Sequence, residues 1–227
     1  LVINTILPAT ARCAEAFSDE ADQTPFPEEM ARVANAVDKR RREFATGRSC
    51  ARDALRELGI APGPILAGER GMPQWPPGVV GSITHCAGYR AAAVARSSDL
   101  LAIGIDAEPD GPLPDGVLDV VSLPAERARL RALAEAVPQV PWDRVLFSAK
   151  ESVYKAWFPL TRRWLGFEEA DITIGTVDGA RDGTVEARFL VPGPAAGGRS
   201  LTGLSGRWLA RDGLVLTAVT VPPAAEG

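Results

Sequence analysis

The chain has 227 residues, 46% of them hydrophobic, and a formal net charge of -4. That length and composition exclude a disordered or fibrous chain and allow one large domain or two small ones. The negative balance argues against a nucleic-acid binder, and no apolar run approaches membrane-spanning length.

The opening segment is broken by Pro8, Pro25 and Pro27 and lacks a basic stretch followed by a continuous apolar core. A secretory signal is therefore not expected, and a cytoplasmic protein is. Cys13, Cys50 and Cys86 form no C-x-x-C pair and read as reduced thiols. A helix is expected from Pro27 to Leu58, bent near Gly47 and closed by Gly59. Its apolar face would be Val33, Val37, Phe44, Ala51 and Leu55, with the basic run 39-KRRR-42 and Arg48 on another face. Those arginines read either as a solvated surface or as a phosphate grip, since Arg40 and Arg48, eight apart, share one side. The Gly- and Pro-rich 61-APGPILAGERGMPQWPPG-78 reads as loop, with Arg70 at a glycine-flanked tip.

Strands are expected at 79–85, 89–96 and 100–106, then a helix in 123-LPAERARLRALAEAV-137. In 147-FSAKESVYKAW-157, Ser148 reads as an N-cap with Glu151 completing a capping box, and Glu151 with Lys155 as an i,i+4 pair. Lys150 has no such account, because the macrodipole disfavours a cation in a first turn unless an anion lies nearby. Antiparallel strands follow, with Asp-Gly turns expected at 178–179, 182–183 and 212–213. Helices interspersed with a strand meander argue for an α+β fold rather than a doubly wound sheet.

In 103-IGIDAEPD-110 an extended strand presents Asp106 and Glu108 from one face, as a hard-cation site requires; acidic residues before a proline turn are the bland alternative. His85 is the single histidine, which excludes a site needing two imidazoles. It reads as a turn histidine, or with Thr84 and Gly88 as a donor set for phosphate. Walker loops, G-x-G-x-x-G and a Ser-His-Asp arrangement are missing from the sequence. Three carboxylates, two lysines on one helix and separate arginines fit a phosphate-rich substrate handled with a divalent cation.

The ordered set GSITHCAGYR (81–90), GIDAE (104–108) and FSAKESVYKAW (147–157) resembles the 4'-phosphopantetheinyl transferases of the Sfp/enterobactin type. The longer stretches WPPGVVGSITHCAGYRAA and KAWFPLTRRWLGFE are most similar to the actinobacterial branch, and the resemblance runs from about Arg40 onward. It implies transfer of the phosphopantetheine arm of coenzyme A, the co-substrate, to a serine of an apo acyl or peptidyl carrier protein, leaving adenosine 3',5'-bisphosphate. The carriers would belong to fatty acid, polyketide or nonribosomal peptide synthases, siderophore biosynthesis included.

By the same resemblance, Asp106, Glu108 and Glu151 bind Mg²⁺, with Mn²⁺ as an alternative. Lys150 and Lys155 lie along the pyrophosphate, and Arg40, Arg48, Arg70, Thr84 and His85 surround the adenosine and its 3'-phosphate. Glu151, Lys155 and Lys150 form the catalytic set. Glu151 is the expected general base, with Glu108 or a water on the metal as alternatives. A lysine is often found where Arg70 stands. Phe147, Tyr154 and Trp164 read either as a pantetheine channel or as core. The implied architecture is a monomer of two similar α/β halves, 1–105 and 106–227, related by a pseudo-twofold axis with the site between them. Rival readings are a non-catalytic module binding coenzyme A or carrier proteins, and another Mg²⁺-dependent phosphotransferase acting on nucleotides.

Overall fold

The computed structural model describes residues 1–19, 24–176 and 180–224. Helix and sheet are mixed throughout, as an α+β fold requires. Among the described residues no helix is long and apolar enough to cross a membrane.

The first half is built on β1 (Arg12–Ala16), β2 (Val79–Cys86) and β3 (Tyr89–Arg96), an antiparallel sheet in the order β1-β3-β2. A short helix, α1 (Pro27–Met30), and a 3-10 turn at Ala31–Val33 precede α2 (Asp38–Glu57). The single helix expected from Pro27 to Leu58 is thus broken ahead of Asp38, not at Gly47. Val37 is extended and 72% exposed, so it does not belong to the apolar face expected of it. Gly47 instead lies within α2, where a Cβ would stand 3.2 Å from Ile83 Cγ2; its small size serves close packing on the sheet. Gly59 closes the helix as expected. Its φ is +73°, the Gly59 amide donates to Arg56 O at 2.9 Å and the Ile60 amide to Leu55 O at 3.0 Å, a Schellman ending.

The second half opens with β4 (Ala102–Pro109), followed by α3 (Val117–Val121), α4 (Pro124–Ala136) and α5 (Trp142–Thr161). Next come β5 (Ala170–Thr176), β6 (Asp182–Phe189), the small hairpin β7 (Ala195–Ala196) and β8 (Arg199–Ser200), then β9 (Gly203–Arg211) and β10 (Leu214–Val221). The large sheet is antiparallel in the order β4-β10-β9-β6-β5. Asp212 and Gly213, at φ 54° and 77°, make the expected turn between β9 and β10. The turn expected at 182–183 is absent, because both residues lie inside β6. Gly183 is there for packing: a Cβ would come 1.9 Å from Gly175 O and 2.8 Å from Trp208 Nε1. The turn expected at 178–179 lies outside the described residues.

Alternation in the strands creates four layers. Ala92 and Val94 of β3 face α2 with Cys50, Ala51, Ala54 and Leu55, while Ala91, Ala93 and Ala95 face the large sheet. There they meet Ile103, Ile105 and Ala107 of β4 and Leu216 of β10. On the far side of the large sheet, Trp208, Val215 and Val219 pack against Val145, Ala149 and Val153 of α5. The edge strands of the two sheets, β2 and β4, are joined by hydroxyls: Ser82 Oγ accepts from the Ile105 amide at 3.1 Å and Thr84 Oγ1 from the Ala107 amide at 3.0 Å. A division at 105/106 falls within β4, all of whose residues pair with β10.

Candidate active site

The site is positioned by how α5 lies on the large sheet. A Cβ on Gly104 would stand 2.0 Å from Ser152 O, so only glycine lets β4 approach the helix backbone this closely. Ser148 Oγ and Ser152 Oγ both reach Thr217 Oγ1 of β10, at 2.9 Å and 2.6 Å, and this buried cluster pins the helix along the strand. The expected N-cap at Ser148 is therefore wrong. α5 starts two turns earlier, at Trp142, and Ser148 is an interior residue used for tertiary contact. Lys155 continues the Ser148–Ser152 side of the helix, one turn beyond. Its Nζ donates to Asp106 Oδ1 at 2.8 Å and to Ile105 O at 3.0 Å, not to Glu151 as the i,i+4 pairing anticipated.

Asp106 and Glu108 do share the face of β4 turned toward α5. Asp106 is buried, and its Oδ2 is left without a hydrogen-bond partner. Glu108 is held by Arg144, with Oε2 2.9 Å from Nη1. Burial, and then the charge of Asp106, push both the Glu108 and Glu151 carboxyls above the ordinary range, which brings the three acids into one electrostatic neighbourhood. Among the described residues no three His, Cys, Asp or Glu side chains converge into a ready metal cage. In kind, however, the donors suit a hard cation: they are carboxylate oxygens, they repel one another, and the buried Asp106 Oδ2 has an unused acceptor aimed at nothing else.

A cleft holding about 260 Å³ of water-accessible space opens beside this cluster. Arg40, Arg48, Arg70, His85, Glu151 and Lys155 all line it, so the structure brings together six of the residues expected from sequence. Arg40 Nη1 lies 2.6 Å from His85 Nε2. A guanidinium can only donate, so Nε2 accepts and the imidazole is neutral with its proton on Nδ1. Desolvation and the Arg40 charge lower the His85 pKa in agreement. Arg48 is buried, stacks 4.3 Å over the Phe44 ring and donates through Nε to Ile65 O at 2.9 Å; burial lowers its pKa to about 10.

Two expected residues are placed elsewhere. Thr84 is buried with its hydroxyl engaged by the Ala107 amide and by Asp106 Oδ1 at 3.4 Å, so it supports the carboxylates and does not line the cleft. Lys150, thought to sit in a first turn beside the pyrophosphate, is mid-helix and only 3% exposed. Its Nζ donates to Phe167 O at 2.5 Å and Ala170 O at 3.0 Å and pairs with Glu126 Oε2 at 2.9 Å. Glu126 also accepts from the Leu123 and Ile172 amides, each at 2.7 Å, tying α4, α5 and β5 together. Sequence reading missed Glu126, Arg144 and Thr217. Only Glu126 had a local signal, as the N3 acid after Pro124.

Two family models match in tandem: the 4'-phosphopantetheinyl transferase N-terminal domain over residues 28–95, and the 4'-phosphopantetheinyl transferase superfamily over residues 102–186. The chain is 57% identical over 223 residues to the 4'-phosphopantetheinyl transferase Svp of Streptomyces mobaraensis, covering 97% of this chain and 89% of the relative. The chain belongs to the 4'-phosphopantetheinyl transferase superfamily. The transferase is 51% identical to PptT of Mycobacterium tuberculosis over 224 residues, 97% of this chain and 98% of that one. It is more distant from enterobactin synthase component D of Salmonella typhimurium, 34% identical over 189 residues, 83% of this chain and 75% of that one. Full-length likeness to enzymes of one name favours a transferase over the non-catalytic module and over a nucleotide phosphotransferase.

Proposed function

We propose that this transferase moves the 4'-phosphopantetheine arm of coenzyme A onto a serine of an apo acyl or peptidyl carrier protein, with Mg²⁺, and releases adenosine 3',5'-bisphosphate. The observation that carries the reading is the continuity of two charge environments. The cationic cleft and the carboxylate cluster meet at Lys155 and Glu151, which line the cleft while belonging to the electrostatics of Asp106. Carriers of fatty acid, polyketide or nonribosomal peptide synthases, including siderophore-forming ones, are the expected acceptors. The same proposal takes the protein as a cytoplasmic monomer. Its halves, read as dividing ahead of β4 and not within it, are taken as pseudo-twofold copies, each a helix (α2 or α5) laid on an antiparallel sheet.

In this reading Arg40, Arg48 and Arg70 hold the adenosine phosphates, and neutral His85 offers Nδ1–H beside them. Asp106, Glu108 and Glu151 would hold Mg²⁺ or Mn²⁺, which when bound neutralises pyrophosphate charge and makes the phosphorus more electrophilic. Glu151, which lines the cleft, takes the serine proton. The serine Oγ–phosphorus bond forms as the bond from that phosphorus to the bridging oxygen breaks. Lys155 Nζ neutralises the departing phosphate oxygen, or hands it a proton. Lys150 acts at a distance, by fixing the segment of α5 that carries Glu151.

The test is the intact mass of apo carriers of fatty-acid, polyketide and peptidyl type after incubation with the protein, coenzyme A and Mg²⁺. A gain of one phosphopantetheine, lost with EDTA and with Glu151→Ala, is expected. No gain on any carrier overturns the proposal.

A further inference from the structure

The break between α1 and α2 folds the chain back on itself. In one continuous helix Glu29 and Arg52, 23 residues apart, would lie roughly 35 Å from each other at about 1.5 Å per residue. Instead Arg52 Nη1 donates to Glu29 Oε1 and Oε2 at 3.0 Å and 3.1 Å, and both side chains are buried. The same carboxylate accepts from the Phe26 amide at 2.9 Å and from the Ile65 amide at 2.7 Å. Ile65 is thereby gripped at both ends of its backbone, because its carbonyl accepts from Arg48 Nε at 2.9 Å. The Phe44 ring covers one face of that guanidinium, 4.3 Å from its carbon. Among the described residues Arg48 donates to a protein acceptor through Nε alone, so its terminal N–H groups are left for an anion in the cleft it lines. Burial lowers the Arg48 pKa to about 10; the Glu29 charge opposes that shift, and the Arg52 and Arg40 charges add to it. A buried ion pair contributes little net stability, since desolvation of two charges offsets their attraction. What Glu29 and Arg52 fix here is the place of the Ile65 backbone.

We propose that Glu29 is a positioning residue for coenzyme A: held by Arg52, its carboxylate fixes the Ile65 backbone, which directs the Arg48 guanidinium so that its free nitrogens meet a phosphate of the bound molecule. A guanidinium recognises phosphate through a rigid planar fork, so its direction matters as much as its charge. The inference rests on the coenzyme A reading above.

The experiment is isothermal titration of coenzyme A, with KM and kcat for transfer to an apo carrier, at a temperature well below every Tm. The proteins are wild type, Glu29→Gln, Arg48→Ala, the double variant Glu29→Gln/Arg48→Ala, and Val185→Ala. Val185 is fully buried in the core of the second half and does not line the cleft, so its truncation lowers Tm without touching Arg48. Glu29→Gln should weaken coenzyme A binding about fivefold to tenfold, with KM rising in parallel and kcat kept, since a charge-assisted contact is misdirected and not removed. Its Tm should fall as well, because the buried Arg52 is left unpaired. In the Arg48→Ala background the fall in Tm should persist while the loss of affinity disappears. If Glu29→Gln does not fold, Glu29→Gln/Arg52→Met removes both buried charges and should show the same loss of affinity. Unchanged affinity in Glu29→Gln, or an equal loss in the Arg48→Ala background or in Val185→Ala, overturns the proposal. A wild-type protein that neither binds coenzyme A nor modifies a carrier overturns the functional reading, and the inference falls with it.

Discussion

Substitution of Lys150 by methionine separates two accounts of the helix motif. Methionine keeps the length and apolar stem of the side chain and removes the ammonium. In the structure that ammonium is 3% exposed, its partner Glu126 is fully buried, and two backbone carbonyls depend on the same nitrogen. Removing one partner of a buried ion pair leaves the other charge uncompensated, at a cost of about 3–5 kcal/mol. For a chain of this size each kcal/mol shifts Tm by about 2–4 °C, so a fall on the order of 10 °C is expected. Thermal and urea unfolding measure it, and turnover is assayed well below the new Tm. In a Glu126→Gln background the same substitution should cost much less, because no buried carboxylate is stranded. A Lys150→Met protein of wild-type stability that binds coenzyme A poorly would refute the anchor and return Lys150 to the pyrophosphate.

Glu151→Gln should raise Tm at pH 7–8 in metal-free buffer while abolishing transfer. The sign follows from its raised folded-state pKa: the ionised carboxyl opposes folding above that pKa, and the gain disappears once acid protonates Glu151 in both states. Mg²⁺ should stabilise wild type more than this variant, and equal stabilisation would count against the metal assignment. His85, the single histidine, should titrate below the ordinary imidazole value by NMR, and Arg40→Gln should move it upward; an unmoved titration would deny the Arg40 contact. Gly104→Ala should cost at least about 1–3 kcal/mol, since the methyl must push α5 off β4, and should depress kcat by pulling Lys155 from Asp106. Wild-type unfolding and turnover in that variant would contradict the close approach.

What could be read from sequence was local. Gly59 and the Asp212–Gly213 turn were legible because a positive φ names its residue in place. The strand carrying Asp106 was legible from its apolar run at 100–106, although it runs on through Glu108 to Pro109. The start of α5 was not, because Ser148 and Glu151 imitate a capping box while Ser148 is answering to Thr217, 69 residues away. The true start lies at Pro141 and Trp142, with Asp143 in the first turn also accepting from the Leu113 amide at 2.8 Å. Likewise the break before Asp38 has no glycine or proline to announce it. The cleft arginines were identifiable as residue types, but their convergence with His85 depends on strand pairing far along the chain.

The cation that looked misplaced at a helix start is explained by direction. Consecutive helical residues point about 100° apart, so Lys150 and Glu151 cannot serve one anion from one side. Lys150 turns into the second half and closes on Glu126; Glu151 turns into the cleft, and Lys155, one turn on, meets Asp106. A motif such as K-E-x-x-x-K therefore joins unlike tasks in six residues. The first lysine secures the helix to α4 and β5, the glutamate and second lysine line the cleft, and the intervening Ser152 locks the register against Thr217. Loss of the first lysine should then appear as instability and loss of the second as lost turnover, although both substitutions remove the same charge from the same helix.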